Sequence, residues 1–141
     1  PSSNPNNHQV RRVTPLILAI NNGHLEVVKL LLENGADVDL KITSVPVRNM
    51  TPLISAIRND HLEIFKTLLT YGADVNLWGP LIHASERGNL EIVKILLSNG
   101  ADVNYSYHGT TPLSAALKNN GQGYAHYQEI VDLLLEHGAV E

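Results

Sequence analysis

A chain of 141 residues with 10 Lys and Arg against 14 Asp and Glu, and a formal net charge of −4, lacks the basic excess that nucleic acid or an anionic membrane surface would select. Its 43% hydrophobic content is enough for one small core, but no apolar run approaches the ~20 residues needed to span a bilayer. The absence of cysteine excludes disulfides, thiol catalysis and cysteine-ligated zinc, and it leaves the compartment open: a soluble, cytoplasmic protein is favoured, with secreted, periplasmic and host-delivered locations still open.

Residues 1–9 are polar, and with residues 10–13 they form a tail expected to be partly disordered. Beginning at Pro1, the chain is expected to have lost an initiator methionine or a longer leader. The first helix signal is Thr14-Pro15-Leu16, a hydroxyl able to accept from orphan N–H groups followed by proline where its missing donor does no harm. Leu16, Ala19 and Ile20 then recur at helical spacing. Val28, Leu31 and Leu32 give a second helix one apolar face, and Gly35 ends it in a left-handed cap. The same sequence of signals recurs from Thr51-Pro52-Leu53 to Gly72, from Gly79-Pro80-Leu81 to Gly100, and from Thr111-Pro112-Leu113 to Gly138. Asp60 stands in the inter-helix turn where Gly23 and Gly88 stand in other copies, a place that requires positive φ.

The Pro-to-Gly interval is 20 residues in three copies and 26 in the fourth. Helix pairs this short cannot bury both faces alone, so they must stack on one another. Thr-Pro-Leu, the alanine-bearing first helix, Gly23-His24-Leu25-Glu26, Val27-Val28-Lys29-Leu30-Leu31-Leu32 and Gly-Ala-Asp-Val resemble the ankyrin-repeat unit, and Gly88 to Leu97 follows the same pattern. The resemblance implies an all-α solenoid of stacked helix pairs joined by hairpin-like fingers. It covers one domain at 14–140, with repeats at about 14–39, 51–76, 79–104 and 111–140. It also implies that His24 and His61 serve structurally, by bonding to backbone between repeats. Asn76 and Asn104 are then either hydroxylation sites or residues bonding within their own turns.

Departures from the repeat mark the candidate partner-binding residues. The Gly-to-next-Pro intervals are 17, 8 and 12, against about 13 in a standard unit. The long first finger carries Ile42, Val45, Val47, Arg48 and Met50, which are either an exposed apolar patch or residues folded back on the repeat edges. The shortened second finger carries Trp78, the only tryptophan, as a binding anchor or as filler of a notch. The third carries Tyr105 and Tyr107, whose residue type dominates interface hot spots. Six extra residues between the helices of the fourth copy, among Gly, Asn and Gln, predict a flexible loop bearing Tyr124, His126 and Tyr127, or else a closing cap. Position by position, the resemblance places Asn21, Asn22, Arg58, Asn59, Glu86, Arg87, Lys118 and Asn119 on a concave polar ladder, with His83 a further variable residue there.

Ion pairs at i,i+3 are expected for Glu26–Lys29, Glu63–Lys66 and Glu91–Lys94, whereas Glu129 and Asp132 make the last helix acidic, as a solubilising end repeat would be. The seven histidines fall in no catalytic or metal-binding spacing, and no nucleophile elbow or phosphate loop is present. The sequence therefore predicts a monomeric, non-catalytic protein-interaction domain without cofactor or metal. An inhibitor or immunity protein that blocks a partner enzyme, and a structural spacer or targeting segment of a larger protein, stand as alternatives.

Overall fold

In the computed structural model, residues 14–43, 49–122 and 125–141 are described. They form eight α-helices: α1 (Pro15–Asn21), α2 (Leu25–Glu33), α3 (Pro52–Arg58), α4 (Leu62–Thr70), α5 (Pro80–Glu86), α6 (Leu90–Ser98), α7 (Pro112–Asn119) and α8 (Ala125–Glu136). The chain divides into two compact units, 1–73 and 74–141, each containing two helix pairs. In the first unit α1 packs on α2 and α3 on α4, and the pairs stack through α1 on α3 and α2 on α4. In the second, α5 packs on α6 and α7 on α8, and the stacking runs through α5 on α7 and α6 on α8. This is the all-α ankyrin-repeat solenoid class that the repeats imply.

The local chemistry accounts for the helix boundaries. Thr14, Thr51 and Thr111 accept from the backbone N–H of Ile17, Ile54 and Ser114 at 3.4, 3.2 and 3.1 Å. Ser114 Oγ accepts in return from the Thr111 N–H at 2.9 Å, closing a capping box. At the far ends, Gly35, Gly72, Gly100 and Gly138 have φ of 90, 86, 81 and 94°. Nothing lies within 4 Å of where a Cβ would stand at these four positions, so glycine is required there by backbone handedness and not by space.

Burial follows the predicted faces. Leu16, Ala19 and Ile20 of α1 are buried, as are Leu53, Ala56 and Ile57 of α3, and the small alanines let helices approach closely. Phe65 on α4 is fully enclosed, which contributes about 2–3 kcal/mol in apolar transfer. Leu81, Ala84, Ile92, Val93 and Leu96 are buried in the second unit, and so are Leu113, Ala116, Ile130 and Leu134.

Four expectations need correction. The expected bonds from the His24 and His61 imidazoles to backbone between repeats are not formed among the described residues, and neither ring caps its own helix; the His61 ring lies against Gly23, filling the space that a side chain there would take. The insertion in the last copy is largely helical. Asn120–Gln122 form a 3-10 turn, and α8 runs 12 residues against 9 in α2, α4 and α6, because Ala125-His126-Tyr127-Gln128 contains no helix breaker. Lys29 pairs with Glu26 and Lys66 with Glu63, both at 3.6 Å, but among the described residues Glu91 and Lys94 form no such pair. The end repeat is acidic yet not polar throughout, since Leu117, Leu135 and Val140 are exposed.

Candidate functional site

Two parts of the repeat differ most from copy to copy: the finger between repeats and the polar end of the first helix. In the first unit the long finger is closed at its base by an antiparallel bridge, with the Ile42 N–H donating to Met50 O at 2.8 Å and the Met50 N–H to Ile42 O at 3.0 Å. The bridge draws Met50 inward to 7% exposure, so it belongs to the core and not to an exposed patch; Ile42 is half-buried. Val45, Val47 and Arg48 lie outside the described residues.

The fingers of the second unit are tighter. Trp78 and Gly79 are consecutive left-handed residues, with φ of 59 and 69°, a conformation that costs a bulky L-residue roughly 1–2 kcal/mol. The strain follows from the five missing residues: the chain must turn into α5 with no room for an ordinary cap, and Gly79 supplies no side-chain hydrogen bond. A Cβ at position 79 would stand 3.0 Å from both Cδ1 and Cε1 of Tyr105, so the Tyr105 ring occupies the notch of the shortened finger. Trp78 is half-buried beside it in sequence. Further along, Tyr107 and Thr110 form a second antiparallel bridge around His108 and Gly109, whose φ values of 49 and 79° are those of a two-residue I′ hairpin turn. The Tyr107 and His108 rings meet edge to face with centroids 4.3 Å apart.

The ends of the first helices are tied more firmly than a solvated ladder would be. In the first unit Asn21 Oδ1 accepts from Ser55 Oγ at 2.6 Å and from Asn59 Nδ2 at 3.0 Å, linking α1 to α3. Arg58 is exposed beside this link. In the second unit the Glu86 carbonyl accepts from Tyr127 Oη at 2.9 Å and from Asn119 Nδ2 at 3.3 Å. The Tyr127 ring lies on Gly88, where a Cβ would fall 2.9 Å from its Cζ. Arg87, Gly88, His126 and Tyr127 line a shallow cleft of about 200 Å³. The side chains of Glu86, Arg87 and Lys118 are exposed, His83 is half-buried on α5, and Tyr124 lies outside the described residues.

Asn76 and Asn104 bond across repeats and not within their own turns. Asn76 Oδ1 accepts from the Asp102 N–H at 2.7 Å; Asn104 Oδ1 accepts from the Val140 N–H at 3.0 Å while its Nδ2 donates to the Gly138 carbonyl. The turn-internal role falls to Asp37, Asp74 and Asp102, each accepting from the N–H two residues on at 2.9 Å. Sequence reasoning missed the Asn21–Ser55–Asn59 link and the docking of Tyr127 on Gly88. The signal for the second was present, because glycine in the turn of one copy leaves a hole that an aromatic residue entering the next helix can fill.

Among the described residues no group of His, Asp and Glu is placed to hold a metal ion, and no helix is long and apolar enough to cross a membrane. No curated protein matches the chain. A family model described as ankyrin repeats, in three copies, matches residues 2–78 and again 76–140. The helix pairs, the left-handed glycine caps and these two matches together place the chain in the ankyrin-repeat family, whose members are generally protein–protein interaction modules.

Proposed function

We propose that this chain is a non-catalytic scaffold or adaptor that binds a partner protein through its fingers and the polar ends of its first helices, with no cofactor. The observation that supports this most directly is the 105–110 finger. Its backbone is set by a bridge and a two-residue turn, and it presents half-buried Tyr107 and exposed His108 in fixed mutual geometry. A preformed aromatic finger loses little conformational freedom on association, and tyrosine on such a surface supplies large contact area at low entropic cost. Tyr105 contributes less, since its ring is already committed to Gly79. The exposed charges of Arg58, Glu86, Arg87 and Lys118 would set partner orientation and association rate more than affinity.

The test is affinity capture from the source organism's lysate with the intact chain beside a Tyr107→Ala, His108→Ala, Lys118→Ala variant, both checked for fold by circular dichroism. A partner kept by the first and lost by the second supports the reading. Equal recovery by both moves the binding surface elsewhere, and no specific recovery favours a spacer. Where the partner proves to be an enzyme, loss of its activity on adding the chain distinguishes an inhibitor from an adaptor.

A further inference from the structure

The dipeptide Asn-Gly occurs four times, at 22–23, 34–35, 99–100 and 120–121, and each asparagine is the C-cap of a helix. This sequence is prone to lose its side-chain amide, because glycine leaves the backbone nitrogen that attacks the amide unobstructed. Three of the four are held in one way. Asn22, Asn34 and Asn99 have ψ of 1, 18 and 16°, and their Nδ2 groups donate to Leu18 O, Leu30 O and Ile95 O at 2.8, 2.7 and 2.7 Å. The glycine that follows is left-handed in each, and its N–H is committed to Ile20 O, Leu32 O or Leu97 O at 3.0, 3.1 and 3.1 Å. One residue further, the N–H of His24, Ala36 and Ala101 reaches back to Ala19 O, Leu31 O and Leu96 O, so the attacking nitrogen lies inside a closed helix end. Asn120 differs. Its amide leaves its own helix and donates to Gln128 Oε1 on α8 at 3.0 Å, and Gly121 is not left-handed. Asn120–Gln122 form a 3-10 turn, whose hydrogen bonds are poorer than those of an α-helix. Exposure would rank the sites the other way, since Asn120 is half-buried and the other three asparagines are exposed.

We propose that Asn120 is a site of spontaneous deamidation in the folded protein, converted to aspartate and isoaspartate, while the fold preserves Asn22, Asn34 and Asn99 as amides. The Gly121 backbone nitrogen gives up its proton to hydroxide and attacks Asn120 Cγ. The new N–Cγ bond closes a cyclic imide as the Cγ–Nδ2 bond breaks, and the amide nitrogen takes a proton from water and leaves as ammonia. A second water opens the imide, at Cγ to give aspartate or at the Asn120 backbone carbonyl carbon to give isoaspartate. Ring closure requires the asparagine ψ to leave the helical region. At 22, 34 and 99 that rotation breaks the amide's bond to its own helix and both bonds that close the helix end, whereas at 120 it breaks one side-chain bond and a short 3-10 turn. The product alters the joint between α7 and α8. Gln128 Nε2 donates to Asp132 Oδ1 while its Oε1 accepts from Asn120, and a carboxylate at 120 has no hydrogen to give, so this chain of bonds onto α8 is cut. Isoaspartate also adds a methylene to the backbone of the turn that precedes α8.

The test holds the full chain folded at mildly alkaline pH, removes samples over time, and digests them for peptide mass spectrometry with the aspartyl and isoaspartyl peptides separated. Conversion at 120 should run several-fold faster than at 22, 34 or 99, with isoaspartate among the products as the imide route requires. The same chain unfolded in urea should convert all four sites at similar rates, since the helix ends that protect three of them are gone. Gly121→Ala should slow conversion at 120 several-fold and leave the fold intact by circular dichroism, because position 121 is not left-handed. A folded chain that keeps Asn120 while the unfolded chain converts it overturns the proposal. So does conversion at any of the other three sites as fast as at 120, aspartate formed with no isoaspartate, or a Gly121→Ala rate equal to that of the wild type. If the variant fails to fold, the comparison of the four sites in the wild-type chain decides the matter alone.

Discussion

The two units solve the same stacking problem with different chemistry. In the first, the turn glycine Gly23 is covered by an imidazole, His61, and the polar link between first helices runs side chain to side chain through Asn21 Oδ1. In the second, Gly88 is covered by a phenol, Tyr127, and the link ends on the backbone carbonyl of Glu86. A link that ends on backbone survives any substitution of the residue that supplies it, whereas a link that ends on a side chain does not. The first unit is therefore fixed by the identity of one asparagine and the second by the presence of one tyrosine.

The largest effect expected is at the covered glycine. Gly88→Ala would combine a left-handed φ of 68° with a Cβ 2.9 Å from the Tyr127 ring carbon Cζ, so both backbone and ring must give. A loss of about 2–3 kcal/mol in urea denaturation is expected. Gly100→Ala, with φ of 81° but open space around it, should cost about 1 kcal/mol. Equal losses at the two sites would show that the Tyr127 contact adds nothing.

Next comes the link itself. Asn21→Ala strips the acceptor from Ser55, whose hydroxyl is in a residue only 1% exposed, and a donor left unsatisfied in that setting costs about 1–3 kcal/mol. Glu86→Ala should stay within about 0.5 kcal/mol, because its carbonyl and not its carboxylate holds Tyr127 and Asn119. If Glu86→Ala costs as much as Asn21→Ala, the contrast between side-chain and backbone acceptors fails.

The buried serines sharpen the same contrast in the opposite direction. Ser55 has its partner, while Ser85 in the second unit is fully buried with no hydrogen-bond partner for its Oγ among the described residues. Removing an unsatisfied hydroxyl removes a desolvation cost, so Ser85→Ala should stabilise by about 1 kcal/mol where Ser55→Ala destabilises by a similar amount. Thermal midpoints that move the same way for both would refute it.

What the sequence made legible was local. Threonine caps, proline at the first helical position and glycine after the last each act within four residues of themselves, so Thr51 and Gly72 bound their repeat as clearly in the sequence as in the structure. What it hid depends on distance and rotamer. Asn76 and Asn104 read as turn residues because Asp-Val-Asn is a turn sequence, but their amides reach 26 and 36 residues onward, which spacing alone does not reveal. The insertion read as a loop because glycine and asparagine crowd its first half, while the helical second half is held by Tyr127, whose anchor on Gly88 lies a whole repeat away. Of the candidate site, the aromatic finger was legible through Tyr105 and Tyr107, but not that Tyr105 is consumed in covering Gly79.

The smallest effect concerns the turn that departs from glycine. Asp60 has φ of 56°, beside 70° at Gly23 and 68° at Gly88, so the fold holds all three turns in the left-handed region whatever residue is present. An L-residue there bears a steric cost of roughly 1–2 kcal/mol, reduced for aspartate, whose short polar side chain tolerates the region. Glycine removes that cost but gains freedom in the unfolded chain, which returns part of the benefit. Asp60 also has an interaction of its own to lose. The balance leaves Asp60→Gly more stable by about 0.5–1 kcal/mol, read as a raised urea midpoint at unchanged slope. An unchanged or lowered midpoint would mean that the aspartate is worth more through its contacts than it costs in backbone strain, and the turn of the second repeat would then differ in kind from the turns at Gly23 and Gly88.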